Sequence, residues 1–185
     1  MFIQTEDTPN PATMKFLPSR LVVHNPVDID SAEKASVSPL AQALFAIDGV
    51  EGVFLGTDFI SVTRKAEGRD WTVLRPAILA AIMDHFAKER PVMLDDAPDV
   101  SRTQASADDN DVVRQINELL DHRIRPAVMQ DGGDVAFERY EDGIVYLRLK
   151  GACAGCPSAT ATLKVGIEQM LRHFIPEVQE VRRVM

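Results

Sequence analysis

The stretch that decides the local order in the second half of the chain is Ile144-Val145-Tyr146-Leu147-Arg148-Leu149-Lys150-Gly151-Ala152-Cys153-Ala154-Gly155-Cys156-Pro157. Apolar side chains at Val145, Leu147 and Leu149 alternate with their neighbours, which predicts a half-buried strand. Pro157 suits the first position of a helix. The stretch therefore predicts a strand, a short loop and a helix, and the loop carries both cysteines of the sequence.

The sequence on both sides of this stretch predicts an α+β domain over residues 110–185. A helix with apolar residues at helical spacing starts near Asp111, and a turn follows at Asp131-Gly132-Gly133-Asp134. The two glycines of that turn are expected to supply positive φ and the Asp side chains to bond local backbone; a metal or phosphate loop is the alternative. With strands at Val135–Arg139 and Val178–Val184, the predicted order is α-β-β-α-β.

A second small α+β domain is predicted for residues 1–92. Short strands are expected at Phe2–Thr5 and Met14–Leu17, and a hairpin at 53–62. The stretch 95–109 is polar, lacks periodicity and contains almost no large apolar side chain, which predicts a flexible linker over residues 93–109. The predicted fold class is α+β, with two small α+β domains joined by that linker.

Two helices are predicted in the first domain. Ser38 is placed to cap a helix that Pro39 opens. Asp70 is placed to cap another, which Pro76 is expected to kink or restart near its beginning. His85, on this second helix, is interpreted as an ordinary surface or boundary residue.

The charge distribution argues against a nucleic-acid partner. The net charge of the 185 residues is −8, with 9 basic and 15 acidic residues in 1–99, and 11 basic and 13 acidic residues in 100–185. Neither part has the basic footprint that binding to phosphates requires. No apolar run approaches the roughly 20 residues that span a bilayer, so no membrane partner is expected.

The sequence also bears on compartment and on catalysis. Two cysteines do not make a disulfide framework, and this usage fits a reducing compartment. The first residues, 1–7, show no signal or transit peptide, so the predicted location is the cytoplasm of a bacterium, or the mitochondrial matrix if a presequence has been removed. No Ser-His-Asp grouping, P-loop or Rossmann fingerprint is present, which predicts that the protein is not an enzyme.

Four interpretations of the cysteine loop are open from the residues themselves. A structural zinc site needs about four ligands, and the chain could add only histidines that form no ligand-spaced pair: His24, His85, His122 and His173. A thioredoxin-like redox pair also lies at a helix start, but here the second cysteine precedes the helix and the order of elements differs. Two buried thiols without chemistry are the third interpretation.

The fourth interpretation is an iron–sulfur cluster, which cysteine thiolates bind, commonly four of them. Cys153 and Cys156 would supply half of such a set, and a second copy of the chain could supply the other half. Cys156 comes just before a helix, whose positive end favours an anion and is expected to raise its thiolate fraction. A cluster enclosed only by loops at a subunit interface would suit transfer better than electron transport.

Two separated motifs resemble those of the NifU-like C-terminal domain. One is Arg125–Val135 with its Asp131-Gly132-Gly133-Asp134 core, and the other is Leu149–Glu168, which includes the cysteine loop. The segment Gln4–Phe16 resembles the opening of the Nfu N-terminal domain, so nearly the whole chain is similar to an Nfu-type iron–sulfur carrier. The ligand positions show no departure from the family pattern.

The resemblance implies a [4Fe–4S] cluster that bridges two protomers, with Cys153 and Cys156 as its cofactor-binding and metal-ligating residues. It implies a homodimer on cluster binding, upstream cluster donors, and delivery to apo iron–sulfur proteins such as aconitase- or lipoyl-synthase-type enzymes. It also implies that the N-terminal domain helps to choose partners. A thiol–disulfide oxidoreductase that uses the cysteine pair is the alternative function.

Overall fold

The computed structural model describes residues 2–94, 111–154 and 157–184, with the main chain but not the side chains of 157–160. The chain forms two compact units, Met1–Ser101 and Arg102–Met185. The predicted linker, 93–109, lies outside the described residues except for its first two, and the predicted domain boundaries stay a prediction. Met93 packs against the core of the first unit, and the Leu94 amide donates to the Val37 carbonyl at 2.9 Å.

The first unit is a five-stranded antiparallel sheet with helices packed against it. Its strands run in the order β1-β2-β5-β4-β3. They are β1 (Gln4–Asp7), β2 (Thr13–Leu17), β3 (Val27–Ile29), β4 (Val50–Leu55) and β5 (Ile60–Arg64). The helices are α1 (Pro39–Phe45) and α2 (Trp71–Ala87), with a 3-10 helix at Lys34–Val37. The predicted strands and hairpin are present, although β1 begins two residues later than the predicted Phe2–Thr5, and β3 is an additional strand.

The helix starts in this unit follow the predicted residues only in part. The Ser38 hydroxyl accepts a hydrogen bond from the Ala41 amide at 3.1 Å, and Pro39 opens α1, as predicted. Asp70 precedes α2, but its side chain forms no capping hydrogen bond. Pro76 neither ends nor restarts α2, which is assigned as one helix through it.

His85 belongs to the core of the first unit, so its interpretation as a surface or boundary residue is wrong. It is 1% exposed and follows Ile78 and Ile82 on the buried face of α2. Within the residues that the structure describes, neither of its ring nitrogens has a hydrogen-bond partner. Burial lowers the pKa of His85 below its ordinary value, and the positive charge of Arg90 lowers it further.

The second unit has the predicted order α-β-β-α-β. Its three-stranded sheet is ordered β6-β7-β8, with β6 antiparallel and β8 parallel to β7. The elements are α3 (Asp111–Leu119), a π-helical turn (Leu120–Ile124), α4 (Arg125–Gln130), β6 (Gly133–Glu141), β7 (Ile144–Gly151), α5 (Pro157–Phe174) and β8 (Glu180–Val184). The two-domain α+β fold class is thus confirmed.

The first helix of this unit changes its hydrogen bonding before Pro126. The Arg125 amide donates to the Leu120 carbonyl, five residues earlier, in the π-helical turn. Pro126 has no N–H to donate, so the wider turn lies where the α-helical pattern would lose a bond in any case. One core cluster joins this helix to the sheet and α5: Ile116, Leu120, Ile124, Val128, Val135, Val145, Leu147, Leu149, Ile167, Leu171 and Val181.

Within the part of the chain that the structure describes, every helix is too short or too polar to cross a membrane.

Candidate functional site

The cysteine loop connects β7 to α5, as the sequence predicts. Strand β7 ends at Gly151, whose φ of +61° is a conformation that favours glycine, and α5 begins at Pro157. Cys153 lies in this connection and is 6% exposed. Cys156, the other predicted ligand, falls outside the described residues, so the pairing of the two thiols as ligands stays a prediction.

The turn before β6 lies directly against the cysteine loop. A Cβ atom placed on Gly133 would lie 2.7 Å from Cys153 Sγ and 2.6 Å from the Lys150 carbonyl oxygen, both closer than real Cβ atoms come. Gly133 also pairs with Gly151 across the β6–β7 ladder. The missing side chain at Gly133 therefore leaves the room in which the Cys153 thiol lies, and the two motifs that are separate in sequence form one site.

This contact corrects the role predicted for one of the two glycines. Gly132 has the expected positive φ, +81°, whereas Gly133 does not belong to the positive-φ glycines of the described chain. Gly133 is needed for close approach instead. The sequence contained a signal for this contact in the Gly132-Gly133 pair. A turn with one residue at positive φ requires only one glycine, so the second glycine indicated another constraint.

Asp134 fixes the turn to the helix before it. The Arg125 guanidinium donates to Asp134 Oδ1 at 3.0 Å and to the Val135 carbonyl at 3.1 Å, and the Val135 amide donates to the same Asp134 oxygen at 2.7 Å. Asp134 is 6% exposed. Its carboxylate therefore has a structural role, as the turn interpretation predicts, and these bonds favour that interpretation over a metal or phosphate loop.

Neighbouring segments bond the backbone of the cysteine loop. The Ala152 amide donates to the Gly132 carbonyl at 3.2 Å, and the Ala154 amide donates to the Gly151 carbonyl at 3.0 Å. The Arg183 guanidinium, on β8, donates to the Ala154 carbonyl. Sequence reasoning missed Arg183, since nothing in the spacing of the two segments indicates that they meet.

The four histidines considered for a zinc site are distributed over both units. His24 and His85 are in the first unit, His122 is in the π-helical turn, and His173 lies one residue before the end of α5. Among residues 2–94, 111–154 and 157–184, no three His, Cys, Asp or Glu side chains lie together as a metal site would require. What the described arrangement offers is a buried thiol packed against Gly133, in the connection between β7 and α5.

Family models match both units of the chain. A model described as "NifU-like domain" matches residues 116–182, and one described as "Scaffold protein Nfu/NifU N terminal" matches residues 3–89. A human protein named "NFU1 iron-sulfur cluster scaffold homolog, mitochondrial" is 50% identical over 186 residues, which cover 100% of this chain and 72% of that protein. A protein of the same name from Drosophila sechellia is 48% identical, over 100% of this chain and 65% of its own length.

Solved structures resemble part of the chain. The solution structure of a NifU-like protein from Saccharomyces cerevisiae has 24% sequence identity and a TM-score of 0.46, covering 51% of this chain and 86% of that one. The crystal structure of protein SAV1430 from Staphylococcus aureus has 24% identity and a TM-score of 0.39.

Proposed function

This chain belongs to the Nfu family of NifU-like iron–sulfur cluster scaffold proteins, and we propose that two copies of it bind one [4Fe–4S] cluster and transfer it to other proteins. The resemblance inferred from the two sequence motifs is confirmed by these matches. The cluster type, the bridging of two chains and the transfer are the proposal.

The number of thiols supports a site shared between two chains. The sequence has two cysteines, whereas a [4Fe–4S] cluster is commonly bound by four cysteine thiolates. Cys153 and Cys156 from each of two chains would complete that number. In this proposal the two cysteines are the metal ligands, and the protein is a homodimer when it carries the cluster.

The surroundings of Cys153 fit a thiolate ligand. Gly133 and Ala152 put little side-chain bulk beside it, and a Cβ atom on Gly133 would overlap its sulfur. Helix α5 begins at Pro157, directly after Cys156 in the sequence, and the free amides of a helix start favour a negative charge. Soft thiolate ligands of this kind suit iron–sulfur clusters.

A site shared between two chains explains how the cluster would be released. Each chain supplies only half of the ligands, so separation of the two chains opens the site, and thiolates of a recipient protein can replace Cys153 and Cys156. The partners in this proposal are upstream cluster donors and apo iron–sulfur proteins, with neither nucleic acid nor membrane. Ligand exchange of this kind requires no catalytic residue, so the protein is proposed to act as a carrier rather than an enzyme.

The comparisons give no support to the alternative function, a thiol–disulfide oxidoreductase. The names of the human and Drosophila relatives describe those proteins as mitochondrial, which fits the matrix location predicted for a processed chain. The cytoplasm of a bacterium stays a prediction.

Anaerobic reconstitution of the full chain with iron and sulfide tests the proposal. We expect about four iron and four sulfide ions per two chains, together with a shift in mass from one chain to two. Cys153→Ser and Cys156→Ser should each abolish cluster retention, because each removes two of the four thiolates from the dimer. Ala154→Ser, which adds a hydroxyl to the same loop and keeps both thiols, is the matched control and should load normally.

Three results would contradict this assignment. They are a cysteine variant that keeps a normal cluster, a loaded protein with the mass of one chain, and a wild-type protein that takes up neither iron nor sulfide while its thiols cycle to a disulfide.

A further inference from the structure

Arg183 is the described side chain that joins the last strand to the cysteine loop. Strand β8 runs parallel to β7, with Arg183 opposite Leu147 and Val184 opposite Arg148. Both strands point toward the end of the sheet at which β7 enters the loop. From there the Arg183 guanidinium donates a hydrogen bond to the carbonyl of Ala154, between the two cysteines in sequence.

The neighbouring arginine makes a different set of contacts. Arg182 forms a two-pronged pair with Glu180, with both nitrogen–oxygen distances 3.0 Å. Among the described residues, no carboxylate forms an ion pair with Arg183. The charge of Arg182 is therefore balanced on its own strand, whereas that of Arg183 is directed at the loop.

Two further bonds of the loop backbone lie nearer its beginning. They connect the Ala152 amide to Gly132 and the Ala154 amide to Gly151. The bond from Arg183 reaches the loop from β8 and binds the carbonyl of Ala154, the residue after Cys153. A guanidinium bound to a carbonyl is a charge-assisted hydrogen bond. This bond is exposed to water, which reduces its contribution to about that of an ordinary hydrogen bond.

We propose that Arg183 is a positioning residue for Cys153: it binds the Ala154 carbonyl, one residue beyond that thiol, and thereby slows the loss of a bound cluster. This inference rests on the proposed function for its second part only. The bond from Arg183 to the Ala154 carbonyl is a property of the chain without cargo.

The first measurement needs no cluster. Hydrogen–deuterium exchange at the Ala152 and Ala154 amides of the full chain should be about fivefold faster in Arg183→Gln, because loss of one hydrogen bond of about 1 kcal/mol raises the open population by that factor. Arg183→Lys keeps a cationic donor and should restore part of the protection. Arg182→Gln is the matched control, with exchange at these amides unchanged.

The second measurement uses loaded protein. The rate at which an iron chelator bleaches the cluster absorbance should rise by a similar factor in Arg183→Gln and not in Arg182→Gln. Unchanged exchange in Arg183→Gln, or equal acceleration in both glutamine variants, would overturn the proposal. If wild-type protein takes up no cluster, the proposed function fails, and the exchange measurement still decides whether Arg183 stabilises the backbone around Cys153. Arg183 is exposed, so these variants are expected to fold.

Discussion

The turn between β1 and β2 and the cysteine loop after β7 are held by different kinds of contact. In the turn, the Thr8 hydroxyl lies 2.9 Å from the carbonyl oxygens of Asn10 and Thr13, and the Ala12 amide donates to Asn10 Oδ1 at 3.0 Å. Trp71 adds a bond from its ring nitrogen to the Pro11 carbonyl at 3.1 Å. Most of these bonds join residues of the turn to one another.

The described contacts of the cysteine loop come largely from segments far away in sequence. They are the Gly132 carbonyl, the α-carbon of Gly133 and the Arg183 guanidinium. The turn is thus stabilised mainly by hydrogen bonds among a few consecutive residues, whereas the conformation of the loop depends on the strands beside it. Substitutions outside the loop should therefore change the environment of the Cys153 thiol. The stability of the turn should depend mainly on substitutions of its own residues.

The largest effect is expected at Gly133. Gly133→Ala would place a methyl group 2.6 Å from a backbone oxygen and 2.7 Å from Cys153 Sγ, and overpacking of this kind costs roughly 1–3 kcal/mol. We expect the second unit to lose about 3 kcal/mol of unfolding free energy, the upper end of that range, and the protein to retain less cluster. Hydrogen exchange in β6 and β7 against urea concentration measures the first effect, and iron content measures the second.

Gly166→Ala is the control for that substitution. Gly166 lies in α5, and a Cβ atom there would meet no atom within 4 Å. The change should stabilise the helix by about 0.5–1 kcal/mol, because alanine loses less backbone entropy than glycine. A Gly133→Ala protein as stable as Gly166→Ala would show that the close approach to Cys153 is unimportant.

A smaller effect is expected in the turn. Asn10→Ala removes the acceptor of the Ala12 amide from a side chain that is 4% exposed, at a cost of roughly 1–2 kcal/mol. Trp71 is the only tryptophan of the sequence and bonds this turn, so its fluorescence during urea unfolding reports the first unit. Faster exchange at the Ala152 amide in Asn10→Ala would break the contrast between a self-contained turn and a dependent loop.

The smallest effect concerns pH and the first unit. Because burial lowers the pKa of His85, the unfolded chain takes up a proton before the folded chain does as the pH falls. Stability from this source is complete above about pH 6.5, the ordinary value for histidine, and is lost as the pH falls below it. The urea midpoint reported by Trp71 fluorescence should decrease there in the wild type, and less so in His85→Leu. Parallel pH curves for the two proteins would exclude this residue as the cause.

Local signals in the sequence predicted those elements that depend on local chemistry. Ser38 and Pro39 predicted the start of α1, Pro157 the start of α5, and the alternation in β7 its buried face, because caps and periodicity act over a few residues. The three residues of β3 gave no periodic signal. His85 was misassigned because its polar side chain interrupts an otherwise apolar helix face.

The site itself was predicted only as far as its thiols. The cysteine pair and the glycine turn were both recognised, but their contact depends on the pairing of Gly133 with Gly151, which is a property of the folded sheet. The reach of Arg183 to Ala154 depends likewise on the parallel register of β8 with β7. Rules based on residue spacing within one sequence do not predict contacts between segments that are far apart in that sequence.

The parallel register of β8 has a practical consequence for handling the protein. Val184 pairs with Arg148, and the neighbouring Arg183 bonds the carbonyl of Ala154, so a segment fused after β8 begins close to the described part of the cysteine loop. A polyhistidine tag at that position would bring imidazoles, which bind iron and zinc readily, to the mouth of the loop. Measurements of metal content therefore call for a chain that carries no polyhistidine tag after β8.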